Sequence, residues 1–189
     1  MTVAEAEPIE SEDILRRLEQ DSTLEYVRGH FKEKNVSAES SETEVIVGSE
    51  LLRATRKAGH RVFSSSLIYR CFPNDPTRMR RPDASVVKGE RLQSLADPLP
   101  RIMPIAPDLA VEVISPNDNA EELSLKLADY RAAGVPLIWV LHPATRSVDV
   151  YRDDGTAAWL LADDTLDAAD LLPGWTCRVA DLFGAQATR

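Results

Sequence analysis

Two carboxylates stand in stretches that otherwise read as buried strand. Asp83 follows Arg81-Pro82 and opens into Ala-Ser-Val-Val, and Glu112 sits in Leu109-Ala-Val-Glu-Val-Ile114. A carboxylate so placed must be paired, hydrogen-bonded or bound to metal, because an isolated buried charge is costly. Strand alternation puts Asp108, Ala110, Glu112 and Ile114 on one face, with Leu109, Val111 and Val113 on the other. Two kinds of partner suit Glu112. One is a hard dication held by Asp83, Glu112 and a backbone carbonyl. Mg²⁺ accepts such a site, completing its shell with water and substrate phosphate. The other is a buried arginine, Arg80 or Arg81. The residues alone leave both open.

The elements that must position these groups follow from periodicity. Ser11 to Gln20 reads as a short helix with Ile14, Leu15 and Leu18 inward and Ser11 as a candidate cap. Leu24 to Val27 reads as a strand that turns at Gly29 and returns through Phe31. A longer helix is expected over Ser40 to Ala58, with Val45, Ile46, Leu51 and Leu52 as its apolar face and Gly59 as its stop. Extended chain follows over Arg61 to Phe72, broken by Pro73-Asn-Asp-Pro76. Short strands are expected at Asp83–Val87 and Leu109–Ile114. A helix over Asp118 to Ala133 carries a capping-box pattern, Asp118 with Glu121. Strands at Pro136–Leu141, Ser147–Arg152 and Ala157–Leu161 complete the pattern. One helical crossover between apolar strands implies a mixed α/β (α+β) sheet flanked by helices. The expected organisation is a loose stretch at 1–10, one domain over 11–184 and a tail at 185–189.

Composition narrows the function. The chain has 189 residues, 43% of them hydrophobic, and a formal charge of −9. No apolar run approaches membrane-spanning length, and Met1-Thr-Val-Ala-Glu lacks the basic-then-apolar pattern of a secretory signal. Cys71 and Cys177 have no metal-ligand spacing, so a reducing cytoplasm is the expected location. His30, His60 and His142 lack ligand spacing or a nucleophile partner, and no Gly-rich phosphate loop occurs. The charge is uneven: residues 1–50 carry −8, residues 53–91 carry +7 and residues 92–189 carry −8. The acidic total opposes nonspecific binding of polyanions, while the basic middle leaves room for a local phosphate-facing patch. Arg78, Arg80 and Arg81, just before Asp83, would suit that patch; solvated surface charge is the plain alternative. Trp139 reads as sheet core, and Ser115 before Pro116 as a turn or cap group.

An Asp after Pro followed by a strand Glu is similar to the PD-(D/E)xK nuclease superfamily. In detail the chain resembles the Uma-two family of restriction-endonuclease-like proteins. The resemblance rests on Leu24-Glu-Tyr-Val-Arg-Gly29, Arg81-Pro-Asp83, and Pro107-Asp-Leu109 through Glu112-Val-Ile-Ser-Pro116. It continues with Lys126, Tyr130 and Gly134-Val135, then Trp139, Pro143, Leu172-Pro-Gly174 and Leu182-Phe183. The order and spacing of these short motifs carry the match over about residues 11–184.

The resemblance implies a restriction-endonuclease-like core and Mg²⁺-dependent hydrolysis of nucleic-acid phosphodiester bonds, DNA being the expected substrate and Mn²⁺ a substitute ion. Asp83 and Glu112 would be metal ligands, and Glu25 the carboxylate completing the acidic cluster. A lysine normally lies two residues after the strand glutamate; here that position is Ile114. Lys126 is its best replacement. Leu123, Leu127 and Tyr130 form the inward stripe of its helix, and a long side chain on that flank can carry an ammonium toward Glu112. Pairing with Glu122 at i−4 is the plain alternative. A second departure lies at Val36 to Glu44, where the family commonly has a helix histidine and this chain has Ser40, Ser41 and Glu42. The rival function is a catalytically inactive nuclease scaffold that binds nucleic acid or protein. A symmetric homodimer is expected, with the apolar and aromatic C-terminal half as its contact.

Overall fold

The computed structural model describes residues 11–75, 77–168 and 171–185. The expected loose stretch at 1–10 and all but residue 185 of the tail lie outside the described residues. Helix α1 (Ser11–Gln20) buries Ile14 and Leu18 as its spacing predicts. It packs beside the hairpin of β1 (Leu24–Val27) and β2 (His30–Glu33), in a small cluster with Tyr26, Ile68 and Met79. The hairpin closes through Arg28 (φ 53°) and Gly29 (φ 80°). Two successive left-handed residues match the twist of the strands they join.

Helix α2 spans Ala38–Thr55, capped by Ser37, whose side chain accepts from the Ser40 N–H while Ser40 Oγ accepts from the Ser37 N–H. Its buried face differs from expectation. Ser40, Thr43, Val47, Leu51 and Thr55 face inward, while Val45 and Leu52 are 68% and 57% exposed. The Ser40 and Thr55 hydroxyls can be buried here because they find partners: Ser40 Oγ meets Ser115 Oγ at 3.0 Å, and Thr55 Oγ1 donates to the Leu51 carbonyl at 2.7 Å. Ser115 is thus a turn and helix-contact group.

The central sheet has six strands in the order β10-β9-β8-β7-β5-β3. These are β3 (Arg61–Ser64), β5 (Ala84–Val87), β7 (Leu109–Val113), β8 (Leu137–His142), β9 (Ser147–Arg152) and β10 (Ala157–Leu160). Only the β7–β8 pair in this sheet is parallel. Parallel neighbours need a crossover, and α4 (Ala120–Ala132) supplies it. Its cap differs from the expected box: Asn119 accepts from the Glu121 N–H at 2.8 Å, while Asp118 turns back to the Ser115 N–H at 2.7 Å. Short strands β4 (Ile68–Tyr69) and β6 (Ile102–Met103) pair in parallel, and β11 (Thr165–Asp167) pairs with β12 (Thr176–Arg178). None of these four was expected as a separate strand. A single turn, α3 (Gly89–Leu92), lies between β5 and β6.

The alternation expected for β7 holds. Leu109, Val111, Val113 and Trp139 pack under Val47 and Leu51 of α2, and Trp139 stacks on Trp175 with ring centres 5.9 Å apart. Ala110 and Ile138 pack on the opposite face with Tyr130 of α4 and Phe72. Each fully buried side chain of this size contributes about 1.5–3 kcal/mol. Glu112, in step with Ala110, is thereby carried to the face that α4 covers. Among the described residues no helix is long and apolar enough to cross a membrane.

Candidate active site

Glu112 is held from both sides by α4. Lys126 Nζ donates to its Oε2 at 2.8 Å and the Tyr130 hydroxyl donates to its Oε1 at 2.6 Å. The carboxylate is 4% exposed. Lys126 therefore does reach the strand glutamate from the helix, and its expected alternative partner, Glu122, pairs with Lys32 on the hairpin. Positions 126 and 130 are one helical turn apart, which places an ammonium and a phenol on one carboxylate.

Asp83, just before β5, is pinned by the Val113 N–H, which donates to its Oδ2 at 2.7 Å. Its other oxygen pairs with Lys34, at the end of the hairpin, and Lys34 also donates to the Arg81 carbonyl at 2.9 Å. Lys34 was not singled out from sequence; one lysine in an exposed hairpin strand carries no distinguishing pattern. A cavity of about 130 Å³ opens beside these groups, with Lys34, Asp83, Glu112 and Lys126 in its wall and Lys32 and Asn35 at its rim.

Glu25 is 3% exposed, and both its oxygens are already engaged. Oε1 accepts from the Arg81 N–H at 2.7 Å and Oε2 from Arg80 at 3.0 Å. Lys126 Nζ lies 3.5 Å from Oε1. Burial raises its carboxyl, but the Lys126, Arg80 and Lys34 charges outweigh that and hold it down at about 2. The expected metal ligand Glu25 thus stands in the cavity wall beside Lys126, with both oxygens already paired.

The arginines expected to face phosphate turn inward. Arg80 and Arg81 are each 2% exposed, and Arg80 reaches only the wall of the cavity. Arg80 binds Glu25 and makes two bonds, at 2.9 and 2.6 Å, to Asp129 Oδ2. Arg81 ties four backbone carbonyls together, those of Leu18, Leu24, Ser65 and Ser66. Arg78 pairs with Asp129 and lies 3.4 Å from Asp75. Backbone hydrogen bonds pair Tyr26 with Met79 and Tyr69 with Arg80, which turns Arg80 and Arg81 inward. The arginine alternative for Glu112 is not realised.

A further acid, Glu44, lies close enough to feel the charges of this site. Burial, then the charges of Asp83 and Glu112, raise the Glu44 carboxyl to about 7 despite Lys34. Glu44 is half-buried on α2. The signal was present in the helix spacing: Ser40, Glu44, Val47, Leu51 and Thr55 make one stripe, and an acid in that stripe faces the sheet. Burial likewise raises the Glu112 carboxyl, with Asp83 and Glu25 adding to it against the pull of Lys126 and Lys34. Lys126 is desolvated, yet Glu112, Glu25 and Asp83 raise it above its ordinary value, so it is a fixed ammonium.

The donor chemistry fits a hard dication: carboxylate oxygens of Asp83 and Glu112 beside a solvent-reached cavity, with a third acid raised by their charge. As the side chains stand, ammonium groups balance the acids. Among the described residues no three His, Cys, Asp or Glu side chains already converge as a metal-binding group.

Comparison with known proteins agrees with this fold. The chain is similar in fold to a crystal structure titled "putative nuclease" from Anabaena variabilis, with a TM-score of 0.79, 21% identity, and coverage of 93% of this chain and 98% of that one. No curated protein matches the sequence. A family model, Uma2, described as "Putative restriction endonuclease", matches residues 11–180. The chain belongs to the Uma2 family.

Proposed function

We propose that this protein is a Mg²⁺-dependent endonuclease acting on nucleic-acid phosphodiester bonds, DNA first among them. Family membership and the nuclease-like fold support nuclease function in general. The observation that carries the finer reading is Glu112 fixed between Lys126 and Tyr130, facing Asp83 across a cavity that solvent reaches. Asp83 and Glu112 would hold the ion, with Glu44 in the third-acid role first given to Glu25. The ion, when bound, supplies a Lewis acid for the phosphate and a more acidic water.

The chain's own residues do the rest. Lys126 keeps its proton, so it acts as a fixed charge that stabilises the phosphorane rather than as a base. Glu25 and Glu112 orient that ammonium between them, and Tyr130 holds the Glu112 rotamer. Ion binding at Asp83 would free Lys34, which with Lys32 at the cavity rim gives a phosphate backbone two point charges.

One observation favours the rival scaffold reading: Lys34 and Lys126 already neutralise the two central carboxylates. Incubation of purified protein with plasmid and single-stranded DNA in Mn²⁺ separates the two. Cleavage that Asp83→Ala abolishes supports the endonuclease. Cleavage that survives Asp83→Ala, or no cleavage of either substrate by the wild type, refutes it.

A further inference from the structure

Helix α2 carries a second stripe directly opposite its buried one. Glu42, Val45, Ser49, Leu52 and the C-capping Arg56 recur at intervals of three and four residues, and all five are exposed. That is the spacing of a helix–helix seam. Val45 and Leu52 are its apolar members, and among the described residues nothing covers them.

The stripe is complementary to itself in reverse. Turned end for end about Ser49, Glu42 of one helix meets Arg56 of another, Val45 comes within one residue of Leu52, and Ser49 meets Ser49. Among the described residues neither Glu42 nor Arg56 makes an ion pair within the chain. A two-fold axis requires such self-complementarity, because each patch must match its own rotated copy.

The C-terminal half, where the dimer contact was expected, fits less well. Trp139 is fully buried and stacked on Trp175. Edge strand β10 does expose Trp159, and Leu161 just after it is exposed as well. Its flanks, however, carry Asp153, Asp154, Asp163 and Asp164, which self-pairing would bring against their own copies.

We propose that α2 is the seam of a symmetric antiparallel dimer of this chain. One helix pair with two apolar residues a side is a small contact, so the dissociation constant belongs in the micromolar range, about 1–100 μM. Glu44 lies on the same helix, so the dimer would fix the spacing of two acidic sites.

Sedimentation velocity over that concentration range tests the seam. The wild type is expected to shift from monomer to dimer, and Leu52→Glu to weaken assembly at least about tenfold. Glu42→Arg and Arg56→Glu should each weaken it, and the double reversal should restore it, a rescue specific to an antiparallel self-contact. Ser49→Cys should cross-link to itself under mild oxidation while the wild type, with Cys71 and Cys177, does not. A wild type monomeric throughout, a dimer indifferent to Leu52→Glu, a double reversal no better than either single one, or loss of assembly only with Trp159→Ser would overturn the proposal.

Discussion

Arg80 and Asp83 are three residues apart, and each gathers charge from distant elements. Arg80 draws Glu25 and Asp129 into an interior cluster, with every named carboxylate oxygen bonded. Asp83 gathers Lys34 and sits near Glu112, Lys126 and Glu44, beside a cavity. The donor chemistry differs as well. A guanidinium is planar and directional, suited to locking oxygens in place, whereas an ammonium on a flexible stem is a point charge that can exchange its partner. The first cluster locks its oxygens in place and borders the cavity only through Glu25 and Arg80. The open one holds groups that are paired but replaceable, which a binding site requires.

The largest test of that contrast is Arg80→Ala. It takes one cation from two buried carboxylates, Glu25 and Asp129, and loss of one partner in such a cluster costs about 3–5 kcal/mol. Urea denaturation should show that loss; an unchanged midpoint would mean the interior cluster is dispensable. Lys126→Ala should instead act on chemistry, lowering cleavage by about 10²–10³-fold, the range for removal of one preorganised charge. Comparison of rate and melting temperature for this variant separates lost chemistry from lost folding.

Ion binding sharpens the comparison further. Mg²⁺ or Mn²⁺ at about 100 times its dissociation constant should stabilise the protein by about 2.7 kcal/mol. For a chain of this size that is a rise of roughly 5–10 °C in melting temperature. Glu112→Gln should remove the rise and Glu42→Gln should keep it. No rise in the wild type would leave the acids balanced by lysines alone.

The smallest effect is the pH response, and its sign differs between clusters. Glu44 is raised from 4.5 to about 7 on folding, so its contribution is complete below 4.5 and is lost as pH rises through 7. Glu25 is lowered from 4.5 to about 2, so its contribution is present above 4.5 and is lost as pH falls toward 2. In chelator, Glu44→Gln should therefore gain stability relative to wild type between pH 5 and pH 8. A difference that stays flat across that window would remove Glu44 from the acidic site.

Local pattern carried much of this architecture. Period-two spacing in β7 was enough to put Glu112 on the face opposite Val111, and helical spacing brought Lys126 and Tyr130 to one side of α4. The register of α2 was misread because Val45 and Leu52 look like core residues, while hydroxyls that find buried partners do not. Glu44 was passed over for the same reason: its stripe is visible only when Ser40 and Thr55 count as inward. Strands as short as Ile68–Tyr69 and Ile102–Met103 give periodicity nothing to act on.

Sequence by itself determined which faces of strand and helix are apolar, since that depends only on residue type and backbone period. It also supplied the acids and the lysine that the proposed phosphodiester site calls for. Only the tertiary structure decided which cation each acid meets. Arg80, Arg81, Lys34 and Lys126 all carry one positive charge, and choosing among them depends on where separate elements cross and how much water each crossing admits.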